Sequence, residues 1–172
     1  MHLARSIAAA LLLLLVPSVA VQAADNPAFT QQMADRVAIQ EVAYRYIDAL
    51  DRRDPEKYLS VFTEDAVYDV EGKLYHGHAE LRGIITGLQK SREATVAAGK
   101  TPVDLYHSNL NPIVEFVSPT EAHFQAYWQT LRYSEADKAM RIGGMGRIED
   151  VMVKQNGVWR IKKRVLSNFV PR

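Results

Sequence analysis

From Met33 to Arg52 the apolar residues Ile39, Val42, Ala43, Tyr46, Ile47 and Leu50 recur three and four positions apart, which gathers them on one face of an amphipathic helix. Asp54-Pro55 resets the chain as N-cap and first helical residue, and predicts a short helix through Tyr58, Leu59 and Phe62. Ala66 to Asp69 alternates like a strand, Glu71-Gly72 forms a turn, and Lys73 to Gly77 supplies the partner strand. A second stripe, Leu81, Ile84, Ile85 and Leu88, predicts a helix over 79–98 that Gly99 closes. Four long alternating segments follow, 106–117, 122–133, 140–155 and 158–170, with turn residues at Ser118-Pro119 and Asn156-Gly157. The order of elements predicts an α+β domain: a curved, mainly antiparallel sheet packed against three helices from the first half, with a cone left between them.

The start of the chain has a different pattern. Arg5 precedes an apolar run from Ile7 to Val21, and Val21-Gln22-Ala23 offers small residues at the two recognition positions of a signal peptidase. Residues 1–23 are therefore expected to be a secretory signal peptide, 24–32 a polar, flexible leader, and 33–172 the folded domain. The alternative is a membrane anchor, but the dense run Ile7–Val16 is short for a bilayer core of about 30 Å and Pro17 interrupts it. Cleavage near Ala23 puts the protein in a periplasm or outside the cell, without stable membrane insertion.

Composition then removes several function classes. The 172 residues include 21 Lys plus Arg, 20 Asp plus Glu and no Cys. Loss of Arg5 with the signal leaves a formally neutral chain, so nothing points to nucleic acid. Lys162-Lys163-Arg164 sits within an alternating segment and is assigned to a solvated sheet face. Without cysteine there is no disulfide or thiolate chemistry, and a domain of roughly 150 residues must stand on packing.

Few residues are placed to do chemistry. Asp51 follows Ile47 by one turn and lies beside the apolar stripe, so it either faces the interior or caps the next turn with Asp54. His107 opens the first long strand and can act as a base, but alternation groups it with Ile113 and Val117 and against Val114 and Phe116; a bulge at Pro112 would reverse that parity. Tyr46 is either a core tyrosine or a proton donor. Alternation puts Ala122, Phe124, Ala126, Trp128, Thr130 and Arg132 on one face, so Trp128, Arg132 and Phe124, with Tyr68 from the first short strand, are candidate substrate-binding residues. The opposite face, with His123, Gln125, Tyr127 and Gln129, suits solvent or a subunit contact. His76-Gly77-His78 pairs two imidazoles without a carboxylate or thiolate to complete a ligand set, so no metal is assigned. Gly143-Gly144-Met145-Gly146 lies in a strand and opens no helix, which favours a bulge or a close backbone approach over a phosphate cradle.

Several of these stretches, Arg36 to Glu41, Ala49 to Asp54, Phe62 to Ala66, the Gly77 turn, Tyr106 to Asn109 and Asn156 to Ile161, together resemble the SnoaL-like branch of the nuclear transport factor 2-like superfamily. The resemblance spans nearly all of the chain after the signal. Within that superfamily, Asp51 with His107 is similar to the dyad of the hexachlorocyclohexane dehydrochlorinases. Tyr46, five residues before Asp51, is similar to a tyrosine of the bile acid 7α-dehydratases. The likeness to scytalone dehydratases is more distant, because Thr130 or Arg132 stands where those enzymes carry a second histidine. The resemblance implies a cofactor-independent lyase that performs base-assisted β-elimination on a small hydrophobic cyclic or aromatic substrate. Its alternatives are an isomerase of the ketosteroid kind and a non-catalytic ligand-binding protein. It also implies a homo-oligomer, a trimer ahead of a dimer.

Overall fold

The computed structural model describes residues 26–134 and 138–169. The expected signal peptide and Val170 lie outside the described residues. Helix α1 (Pro27–Arg52) is followed by α2 (Pro55–Ser60), β1 (Phe62–Val70), β2 (Lys73–His76), α3 (Gly77–Ala97), β3 (Tyr106–Ser118), β4 (Glu121–Ser134), β5 (Ala139–Gln155) and β6 (Val158–Asn168). The strands form a six-stranded sheet in the order β2-β1-β6-β5-β4-β3, antiparallel except where β1 runs parallel to β6. No described helix is long and apolar enough to cross a membrane.

Two boundaries differ from the sequence expectation. The segment expected to be a leader is helical from Pro27: the Asn26 side chain accepts the Phe29 N–H at 3.2 Å and Pro27 occupies the first helical position. This is the same device that starts α2, where Asp54 accepts the Lys57 N–H at 3.1 Å ahead of Pro55. Phe62, expected to end the short helix, instead opens β1, because its ring is buried against Tyr46, Tyr58 and Tyr68.

Helix α1 turns Ile39, Val42, Ala43, Tyr46 and Ala49 into the core. They meet Phe124, Ile148, Met152, Trp159 and Ile161 from the concave face of the sheet. At its N-terminal end α1 is pinned by polar contacts: Asp35 accepts from Lys154 Nζ at 2.7 Å and from Trp159 Nε1 at 2.8 Å, and Arg36 donates to the Val114 carbonyl at 2.9 Å. Burial pushes the Asp35 carboxyl up, but these donors outweigh it and hold the group below its ordinary value.

Register shifts decide which residues face inward. On β3 the pairing steps from Leu110 opposite Tyr127 to Ile113 opposite Gln125, and Asn111, at φ 51, takes the left-handed conformation there. The extra residue is a β-bulge, and it brings His107 and Asn109 onto the same face as Val114 and Phe116. On β5 the shift falls at Gly143, between Gly144 opposite Thr130 and Ile142 opposite Leu131. On β6 it falls at Lys162, between Ile161 opposite Met152 and Lys163 opposite Val151.

The third bulge overturns the assignment of Lys162-Lys163-Arg164 to a solvated face. Lys162 and Lys163 are exposed, but Arg164 is turned inward and fully buried. The register aligns Val114, Phe124, Asp150, Arg164 and Tyr68 in one row across five strands.

Candidate active site

Between the concave face of the sheet, α1 and α3 lies a cavity of about 700 Å³. Buried Tyr46, Tyr58 and Tyr68 form its deep end, and the more exposed Leu105, Arg132 and Gly143 mark its mouth. Its wall between them is made largely by Trp128, Ile148 and Leu166 of the sheet and by Ile47 and Leu50 of α1. The volume and the apolar lining suit a small cyclic molecule.

Helix α1 ends so as to aim Asp51 at the sheet. Arg53 closes it in the left-handed conformation (φ 56), with its N–H on the Leu50 carbonyl at 3.1 Å and the Asp54 N–H on the Ala49 carbonyl at 2.9 Å. The Arg53 guanidinium donates to the Asp51 carbonyl and to Asp104, each at 3.2 Å, and Arg92 also pairs with Asp104. Asp48, on the other side of the helix, is taken by Arg52 at 2.5 Å in solvent.

Asp51 therefore does not cap the next turn, a role that Asp54 fills. Its carboxylate instead grips His107 twice: Oδ1 contacts the imidazole Nδ1 at 2.5 Å and Oδ2 accepts the His107 backbone N–H at 3.1 Å. Both side chains are largely buried, at 24% and 20% exposure for His107 and Asp51. Asp51 stays outside the cavity wall, while His107 lines it, so the imidazole stands between its carboxylate and the cavity. With Nδ1 engaged as donor, the Nε2 lone pair is the one left for a bound molecule.

The tyrosines form a second cluster. Tyr46 Oη lies 3.3 Å from Tyr68 Oη, and the Tyr46 and Tyr58 rings are tilted against each other at 5.3 Å. Burial, reinforced by the neighbouring Tyr46, pushes both the Tyr58 and the Tyr68 phenols well above their ordinary value, so both stay protonated. Beneath Tyr46 the Arg164 guanidinium stacks 3.8 Å from the ring centroid. It is bidentate on Asp150 at 2.8 and 2.6 Å. Burial alone would lower the Arg164 pKa, but the Asp150 carboxylate outweighs it and holds the group above its ordinary range.

Of the residues expected to bind substrate, Trp128, Arg132 and Tyr68 line the cavity. Phe124 does not: it lies deeper, fully buried in the core opposite Val114 and Asp150. It shares the face of Trp128, but it belongs to the closed core cluster with Ile39, Val42 and Met152. The glycines of β5 do act through close approach. A Cβ on Gly146 would stand 1.8 Å from the Ser167 carbonyl oxygen and 2.7 Å from Trp128 Nε1, and one on Gly144 would meet the Trp128 ring at 3.3 Å. Trp128 thus lies flat across β5, with its N–H donated to Ser167 O at 3.1 Å. His76 and His78 are used separately: the His76 backbone N–H donates to the Glu80 carboxylate at 2.7 Å, and His78 Nε2 meets the Phe62 carbonyl at 3.3 Å.

Sequence reasoning missed Arg164, Asn109 and Asn168. Arg164 was masked by the bulge, and the available signal was the adjacent polar pair Lys162-Lys163, which breaks alternation. The two asparagines line the cavity, although neither belongs to a recognisable motif.

A family model described as a SnoaL-like domain matches residues 31–165. No curated protein sequence matches the chain significantly. Among solved structures, hexachlorocyclohexane dehydrochlorinase LinA-type3 from Novosphingobium barchaimii LL02 is similar with a TM-score of 0.66 at 20% identity, over 82% of this chain and 90% of that one. A scytalone dehydratase-like protein from Novosphingobium aromaticivorans gives 0.66 at 22% identity, over 82% and 88% of the two chains. An NTF2-like protein with a cystatin-like fold from the same species gives 0.70 at 20% identity, over 86% and 93%. At these identities the likeness is one of fold. The family match over most of the chain and the helix-backed curved sheet around a cavity agree: the chain belongs to the SnoaL-like domain family.

Proposed function

We propose that the protein is a lyase that eliminates water, or a related leaving group, from a small hydrophobic cyclic substrate, using its own side chains for the proton transfers. The observation that carries this reading is the contact of His107 with Asp51 at the wall of an apolar cavity. A histidine held by a carboxylate through one ring nitrogen keeps the other free to take a proton from carbon, and the carboxylate stabilises the imidazolium that results.

Tyr46 protonates the leaving oxygen. Tyr68, kept protonated by its burial, donates to the Tyr46 oxygen as that proton departs, and the Arg164 guanidinium under the ring offsets the charge left behind. His107 then returns its proton to Tyr46 through water, so the net change is loss of H₂O and gain of a C=C bond.

The test is turnover of hydroxylated cyclic substrates by wild type and by His107→Ala, followed by mass spectrometry. The expected result is a product lighter by one water and a fall in rate of about 10²–10⁴-fold in the variant. Unchanged turnover in His107→Ala removes His107 as the base. A product of unchanged mass replaces elimination by isomerisation, and tight binding without conversion makes the cavity a carrier site.

A further inference from the structure

Arg53 holds a backbone conformation that does not suit it. It ends α1 at φ 56, in the left-handed region that Gly and Asn fill readily and that other residues enter at a cost. Such strain persists where the surrounding structure makes use of it. The Arg53 guanidinium is used twice: Nη1 donates to the Asp51 carbonyl and Nη2 to the Asp104 carboxylate, each at 3.2 Å. Two residues of α3 complete the contact. Arg92 donates to the same Asp104 oxygen, and Gln89 Nε2 donates to the Arg53 carbonyl at 2.9 Å. The Arg53 side chain is only 21% exposed, so water competes less for these bonds than it does at an open surface pair.

The guanidinium joins the two chain segments that carry the Asp51–His107 contact. Asp51 lies on the last turn of α1, and His107 is the second residue of β3, three positions after Asp104. Nothing in the run-up to His107 is stiff by itself. Residues 100–105 have no regular structure, and β3 is an edge strand that pairs with β4 alone. Strand ends of this kind open at little cost unless another contact ties them. Asp104, gripped by one arginine from α1 and one from α3, is that tie, and it fixes where β3 begins relative to the end of α1. The imidazole contact at 2.5 Å needs such a tie, because a hydrogen bond is lost within about 1 Å of displacement.

We propose that Arg53 is a positioning residue for His107: by bridging the Asp51 carbonyl to Asp104 it keeps carboxylate and imidazole in register, and so holds the His107 proton on Nδ1. Arg53 is not part of the cavity wall, and acts only through Asp51 and His107. The planar fork of a guanidinium reaches two acceptors at a fixed angle, which the single ammonium of lysine does not. The effect on turnover rests on the lyase reading, whereas the effect on the histidine proton needs no substrate.

Nitrogen-15 NMR of the imidazoles tests this, with the His107 signals identified by their loss in His107→Gln. Wild type with neutral imidazole is expected to show His107 protonated on Nδ1, with that proton far downfield. Arg53→Gly removes the guanidinium and keeps the helix end, since Gly suits a positive φ, so it is expected to melt within about 5 °C of wild type. It is also expected to lose the downfield proton and to shift His107 toward the Nε2–H form that free histidine prefers. Asp104→Asn, which leaves α1 intact, is expected to move the signal in the same direction, and Arg53→Lys is expected not to restore it. Turnover by Arg53→Gly is expected to fall about 10–10²-fold with KM within about twofold. A wild type without the downfield proton, a wild-type signal in both Arg53→Gly and Asp104→Asn, or a signal lost only with a larger fall in melting temperature overturns the proposal. The two readings fail separately: a signal lost in Arg53→Gly while wild type converts no substrate removes the lyase and keeps the positioning role, and full turnover by Arg53→Gly does the opposite.

Discussion

Substituting Asp150 by Asn puts a number on the support beneath the tyrosines. Arg164 is fully buried and Asp150 nearly so, and two hydrogen bonds at 2.8 and 2.6 Å join them. Asparagine keeps the shape and one acceptor but removes the charge, leaving a guanidinium under the Tyr46 ring whose Nη1 already has no partner. Breaking a buried pair on one side costs about 3–5 kcal/mol, because the remaining charge is uncompensated. For a domain of this size roughly 3 °C of melting temperature accompanies each kcal/mol, so the expected fall is about 10–15 °C by calorimetry or circular dichroism. The companion variant Asp150→Leu with Arg164→Met removes both charges and is expected to recover most of that loss, while Tyr46 loses the cation beneath it and turnover stays low. A fall of less than about 3 °C in Asp150→Asn, or a double variant as unstable as the single one, would refute the reasoning, since either means that the pair is solvated or the cavity floor is held by something else.

Other perturbations reach different parts of the fold. Gly146→Ala is expected to destabilise the protein and shift the fluorescence of Trp128, because the added Cβ meets the Ser167 backbone at 1.8 Å, and backbone cannot give way as a side chain end can; an unchanged melting curve and spectrum would contradict this. Asp51→Asn keeps the acceptor for the His107 backbone but loses the charge that faces the imidazolium, so kcat is expected to drop about 10²–10⁴-fold with KM little changed. Asp35 lies below its ordinary carboxyl value of 3.8, so its contribution to stability is present above that pH and is lost as pH falls through the lowered value. Urea denaturation of Asp35→Asn should accordingly differ from wild type at pH 7 and converge with it in strong acid, and a difference independent of pH would count against the Lys154 and Trp159 contacts. Light scattering of the chain after removal of residues 1–23 is expected to give an oligomer, a trimer ahead of a dimer, and a clean monomer at micromolar concentration overturns that expectation.

The fold was legible where one element carried one period. The stripe from Ile39 to Leu50, the Asp54-Pro55 restart and the four alternating segments translate directly into α1, α2 and β3 to β6, because burial of one face fixes each of them. Asn26-Pro27 carries the same start signal as Asp54-Pro55, but the polar composition before Met33 hid it, since a helix end that only grazes the core needs no apolar stripe. The site was legible in part for a related reason. Helical geometry places Tyr46 on the buried face and Asp51 beside it, with a cap as the alternative for Asp51, whereas His107 depends on the parity of a strand, and alternation counted through Pro112 gives it the wrong face. Arg164 is harder still, because a fully buried arginine contradicts the ordinary preference of the residue and is tolerated through its pairing with Asp150, a partner on another strand.

The departures from strand alternation have one structural origin, and it is also the origin of the cavity. Three of the bulges, at Asn111-Pro112 on β3, Gly143 on β5 and Lys162 on β6, each add a residue to one strand only, so each bends its strand and exchanges the faces beyond it. The bending curls the sheet away from α1 and opens the space that Trp128 and the tyrosines line. The exchange of faces turns His107 and Asn109 inward on β3 and Arg164, Leu166 and Asn168 inward on β6, toward the space so created. With Val114 and Phe116 held inward, regular alternation would have turned Ser108 and Leu110 inward in place of His107 and Asn109, and Lys163 in place of Arg164. Deleting Asn111 from β3 therefore shifts both properties at once, closing the curve and carrying His107 to solvent away from Asp51, which ties the chemistry of the site to the shape of the sheet.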